Sequence, residues 1–153
     1  GAASFGYDFF VNVNPVHNSK VSSTAGAVLP GFTHTINYSV CNFGDVDIAN
    51  ASLVFKHDPA LGDIGAPPGF TSYDPATHTA VWDGLSLSKG YCILTNPISF
   101  QIPSPIPIGT VLNFSMDLLP DAGDFFPDDN HTAWARTAAI RTPCKCGSKG
   151  AMC

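Results

Sequence analysis

Not one glutamate occurs in the 153 residues; all twelve acidic side chains are aspartate, and Gln101 is the only glutamine. Helix surfaces draw on Glu, Gln, Lys and Arg, whereas Asp favours turns and caps. A chain so poor in helix formers is confined to β structure, and its thirteen Pro and fourteen Gly supply the reversals that such a fold needs. At this length it forms one domain, burying roughly 70% of the surface its unfolded chain exposes.

The apolar residues alternate accordingly. In FTHTINYSVCN, Phe32, His34, Ile36, Tyr38 and Val40 share one face, while Thr33, Thr35, Asn37, Ser39 and Cys41 share the other. Phe9, Val11 and Val13 repeat the pattern upstream, and Ala51, Leu53 and Phe55 downstream, before Pro and Gly in HDPALGD stop the strand. FTSYDPATHTAVW reads as a hairpin turning at Asp74 and Pro75. NPISFQI, VLNFSMDL and TAWARTAAI complete seven or eight strands with no helical pattern between them, which predicts an antiparallel β-sandwich. Trp82 and Trp134 are expected to fill the space between the sheets, and His34 to be a hydrogen-bonded core residue. Asn42 and Gly44 are expected at a strand end for their tolerance of positive φ.

YSVCNFGD (38–45), VWDGLSLSKG (81–90) and DAGDFFPDDN (121–130) resemble, in order, the signature segments of the immunoglobulin-like conserved-repeat domains of bacterial surface and exported proteins, a cell-adhesion-related β-sandwich family. The resemblance runs from about Tyr7 to Thr142. It implies an immunoglobulin-like sandwich and a non-catalytic module of exported fibres, stalks or adhesins. The expected organisation is an N-terminal connector over residues 1–6, the sandwich over 7–142 and a Cys-rich tail over 143–153.

With immunoglobulin-like strand order, Cys41 and Cys92 fall on neighbouring antiparallel strands and either pair with each other or remain separate thiols. Pairing them leaves Cys144, Cys146 and Cys153, an odd number. Either Cys144 or Cys146 reaches Cys153 through GSKGAM, and the thiol left over suits a bond to another chain or a captured ligand. Zinc held by the three tail thiolates, and a tail whose thiols are incidental, are the alternatives. Cysteines used in this way, and a surface of Ser, Thr and Asn, point to an oxidising, extracellular or cell-surface setting.

A net charge of −5 without a basic patch argues against nucleic acid, and no apolar run is long enough for a membrane helix. No catalytic residues are expected. There is no G-x-S-x-G elbow, no H-E-x-x-H among His17, His34, His57, His78 and His131, and nearly every Asp sits in a turn. Asp121, Asp124, Asp128, Asp129 and Asn130 gather oxygen donors that would suit calcium, the one cofactor considered. Four N-x-S/T triplets, at Asn37, Asn50, Asn113 and Asn130, are candidate glycosylation sites. The expected role is a structural subunit of an extracellular fibre or surface assembly, with copies of itself or other surface proteins as partners. The alternative is a monomeric adhesin module that binds carbohydrate or a host surface through Tyr73, Tyr91 or Trp82.

Overall fold

Strand β2 (Thr33–Asn42) carries the strongest alternation and sits at the centre of its sheet. The computed structural model describes residues 14–120 and 123–141. The strand expected at Phe9–Val13 lies outside them. β1 (Ser19–Ala25) pairs antiparallel with one side of β2; β6 (Cys92–Leu94) and β7 (Ile98–Gln101) follow one another along its other side. The second sheet runs β4 (Ser72–Asp74), β5 (Thr79–Leu87), β3 (Ile48–Lys56), β8 (Val111–Leu119), β9 (His131–Thr137), all antiparallel. This is the predicted antiparallel immunoglobulin-like sandwich, with nine strands among the described residues where the alternation predicts seven or eight.

The inward face of β2, with His34, Ile36, Tyr38 and Val40 buried, meets Leu53 and Phe55 of β3 and Leu112, Phe114, Met116 and Leu118 of β8. Phe32, expected on that face, lies outside the strand and is exposed. Both tryptophans are only half-buried, at the margins of the core rather than between the sheets: Trp82 packs on Phe70, and Trp134, on edge strand β9, stacks on Phe114 at 5.6 Å. In the β3–β5 ladder, Ile48 faces Leu87, Ala51 faces Leu85 and Leu53 faces Trp82. Each strand thus carries one extra residue, at Asn50 (φ 58°) and Gly84 (φ 74°), and the two bulges cancel to restore register.

Both flanks of the sandwich are closed. On one, the β1 side meets the β9 side through bridges His17–Asp124 and Val28–Ala138, with Phe125 N–H donating to the His17 carbonyl at 2.8 Å and Ala139 N–H to that of Val28 at 3.0 Å. On the other, Phe70 from the β3–β4 connection inserts beside Tyr38 of one sheet and Phe55 of the other, 6.4 Å from each. The molecule therefore has two poles. The first is formed by the loops 43–47, 88–91 and 123–130, the second by 26–32, 75–78, 102–110 and 138–141. The described chain enters at the first and leaves at the second.

Candidate functional site

The YSVCNFGD segment ends at the first pole, where Asn42 is fully buried. Its Nδ2 donates to the carbonyls of Val46 (2.7 Å) and Leu87 (3.0 Å), and its Oδ1 accepts from Gly44 N–H (3.0 Å). One side chain thus ties the end of β2 to the β2–β3 loop and the end of β5. Gly44 does not have a positive φ, contrary to expectation; its constraint is space, because a Cβ there would lie 2.2 Å from the Val16 carbonyl oxygen. Both residues are structural.

One step back along β2, Cys41 lies opposite Cys92 in register, and the two are joined by a disulfide. The bond links neighbouring strands of one sheet, on its outward side. Cys144, Cys146 and Cys153 fall outside the described residues, so the tail thiols and the zinc alternative lie there too.

The aspartate loop is built inward rather than around a cation. Asp124 Oδ2 accepts from Ser19 N–H (2.7 Å), Ser19 Oγ (2.9 Å) and Asn130 Nδ2 (3.0 Å), while Oδ1 accepts from Phe126 N–H (2.9 Å). Partial burial pushes the Asp124 carboxyl up, but these donors together outweigh it and hold it below the usual range. Hydrogen-bond donors occupy the directions a calcium ion would need. Asp128 and Asp129 sit in the 3₁₀ turn Pro127–Asn130, and Asp121 lies outside the described residues. Among the described residues no group of three or more His, Cys or Asp side chains is arranged to hold a metal.

Of the four glycosylation candidates, Asn37, Asn50 and Asn113 are exposed. Asn130 is not available: it is 3% exposed, with its amide engaged by Ser19 and Asp124, and a glycan would break that network. Nor do the three aromatic residues expected as a binding platform assemble into one. Tyr91 is exposed at the first pole, Trp82 is half-buried against Phe70, and the Tyr73 hydroxyl is bound to His57. Instead, the outward face of the β1–β2 sheet presents hydroxyls, with Ser22 and Ser39 paired at 3.1 Å beside a hollow of about 260 Å³ walled by Leu94.

Sequence reasoning missed His57, which is buried between the β3–β4 connection and β4. Nδ1–H donates to the Asp58 carbonyl (3.0 Å), so the neutral ring accepts at Nε2 from the Tyr73 hydroxyl (2.9 Å). His34 is buried as expected, with Nδ1 on the Ala27 carbonyl at 3.1 Å. Among the described residues its Nε2 has no partner. Burial holds both imidazoles below the ordinary 6.5, with Arg136 adding to the effect at His34 and His78 at His57. Below pH 6.5 the unfolded chain therefore takes up protons that the native state refuses, and stability is lost as pH falls through the folded values. Asp58, held below 3.8 by donors on Ala60 and Asn113 that outweigh its desolvation, adds a second loss in stronger acid, as does Asp124. Urea midpoints are expected to decline between pH 6.5 and 5 and then fall again below pH 4; a flat profile from pH 7 to 5 would contradict the neutral burial of these histidines.

No protein-family model and no curated protein matches the chain. Among solved structures, it is similar to the CARDB domain of PF1109 from Pyrococcus furiosus in solution, at 10% identity and a TM-score of 0.58, over 82% of this chain and 98% of that one. The crystal structure of the same domain in complex with di-metal ions aligns at 10% identity and a TM-score of 0.55, over 82% and 96%. At this identity the likeness establishes the architecture, an immunoglobulin-like antiparallel β-sandwich.

Proposed function

We propose that the chain is a non-catalytic structural subunit of an extracellular fibre or surface assembly, coupled to its neighbours through its terminal segments and secured by disulfides. The observation that carries this reading is the placement of the chain's exits. Val16 N–H is bound to Asp45 at the first pole, and Ala139 N–H to the Val28 carbonyl at the second, so the described chain begins at one pole of the sandwich and ends at the other, which supports coupling through the segments beyond each. Successive copies joined through such segments line up rather than stack. The Cys41–Cys92 bond fits an oxidising compartment and leaves three cysteines, all beyond residue 142, for coupling.

Lateral strand addition is poorly served by the edges. β4 has three residues, the β6–β7 edge is interrupted at Thr95–Pro97, and β1 and β9 are bridged to each other's side. Among the described residues no helix is long and apolar enough to cross a membrane.

The test is negative-stain microscopy and non-reducing electrophoresis of the oxidised full chain. The expected result is linear assemblies with a ladder of covalent multimers that dithiothreitol collapses, and loss of the ladder in the triple variant Cys144→Ser, Cys146→Ser, Cys153→Ser. A monomer with three reduced tail thiols would overturn the proposal. The hydroxyl-lined hollow beside Ser22 and Ser39 favours one second reading, a monomeric carbohydrate-binding module. Glycan-array binding abolished by Ser39→Trp, without assembly, would establish it instead.

A further inference from the structure

Resting on the fibre reading, we infer that a second copy of this chain docks pole to pole, the acidic, aromatic first pole of one copy receiving the second pole of the next. Two observations converge on this arrangement.

The exposed apolar surface is polar in its distribution. Of the ten exposed large apolar side chains among the described residues, seven lie in the pole loops, and Leu94, Val111 and Leu119 lie on strands, the last two at the ends of β8. Phe43, Tyr91, Phe125 and Phe126 crowd the first, Tyr91 being 72% and Phe125 65% exposed, and Phe32, Ile108 and Ile140 mark the second. Apolar side chains displayed at both ends of a molecule whose β1–β2 sheet turns hydroxyls outward mark contact surfaces rather than solvent-facing ends.

Charge separates along the same axis. Among the described residues, Asp45, Asp47, Asp124, Asp128 and Asp129, with Asp117 near by, outnumber Lys20 and Lys89 at the first pole. A hollow of about 180 Å³ there is lined by Asp47 and Asp124. At the second pole, Asp58, Asp63 and Asp74 are balanced by Lys56, Arg136 and Arg141. The sequence from 142 to 153 then adds Lys145 and Lys149 and no acid. Two first poles repel one another, whereas a first pole and a second attract. The contact is therefore heterologous, and a heterologous contact across opposite ends does not close on itself but propagates as a filament.

The experiment uses two variants of the full chain. One disables the first pole (Phe125→Ser, Phe126→Ser, Asp128→Lys), the other the second (Ile108→Ser, Ile140→Ser, Arg141→Glu). Each is followed by sedimentation velocity with and without reductant. Each variant alone is expected to need more than about tenfold the wild-type concentration to assemble, the change that loss of roughly 1.4 kcal/mol per junction produces. Mixed together they form a one-to-one dimer and stop, since each supplies the pole the other lacks. That dimer also shows that both variants are folded. Wild-type chain that assembles alongside single-pole variants that polymerise equally well would overturn this inference and leave the fibre reading intact. Wild-type chain that never assembles would overturn both. A mixture that remains monomeric, although both variants melt as the wild type does, would overturn the head-to-tail contact alone.

Discussion

Replacing Asn42 by alanine is expected to lower the unfolding free energy by about 3 kcal/mol, because it strips one buried and two part-buried backbone groups of their partner at once. The bond to the Leu87 carbonyl is buried, those to the Val46 carbonyl and the Gly44 N–H are part-buried, and Asn42 itself is fully buried. In a domain of this size that corresponds to a melting temperature lower by roughly 10 °C. Asn42→Asp tests the cause. It is nearly isosteric and keeps the acceptor for Gly44, but it sets a carboxylate oxygen against two carbonyls, so it should destabilise at least as much as alanine. An Asn42→Asp protein as stable as the wild type would show that the two donated bonds contribute nothing. Gly44→Ala is expected to cost about 2–3 kcal/mol for a separate reason: the clash is with backbone atoms of Val16 and Asn18, which cannot move aside as a side-chain tip can.

These two residues show what the sequence made legible and what it hid. Alternation located β2, β3, β7 and β8 because each buries every second side chain against the facing sheet. β1 escaped notice. SKVSSTA has one large apolar residue, Val21, and its place is secured by Ser19, which donates to Asp124 and Asn130 more than a hundred positions away. No local pattern announces such a bond. The same network reverses the meaning of the aspartate loop, since a cluster of acids suggests a cation site until the donors facing Asp124 are known. Asn130 illustrates the point again, as an acceptor triplet reads alike whether its asparagine is exposed or buried. Ring size predicts burial without indicating whether a strand lies inside or at the edge of its sheet, and Trp134 is half-buried because β9 is an edge; Trp82, on interior strand β5, packs instead on Phe70 of the β3–β4 connection. Polarity along the molecular axis was invisible for a further reason. Phe43, Tyr91 and Phe125 are scattered through the chain and become neighbours in kind only when the loops are sorted by the pole they occupy.

Removing the Cys41–Cys92 bond with the double substitution Cys41→Ala, Cys92→Ala is expected to cost about 4 kcal/mol, from the loop-closure entropy restored to the unfolded chain by opening a link of sequence separation 51. The sandwich itself should survive, since its core rests on side chains of β2, β3 and β8 that the bond does not touch. The local consequence falls on β6. That strand has three residues and is held to β2 only through the pairs Ser39–Leu94, Val40–Ile93 and Cys41–Cys92. Without the covalent link, amide exchange should quicken at Ile93 and Leu94 by more than the global loss explains, whereas amides of β3 and β8 should follow global unfolding alone. Because Asn42 N–H donates to the Tyr91 carbonyl at 2.9 Å, fraying of β6 also loosens an aromatic residue of the first pole. The double variant should therefore couple to its neighbours less well than its residual stability would allow. A loss below about 1 kcal/mol would show that the unfolded chain already holds β2 and β6 together, the circumstance in which loop entropy has little to restore.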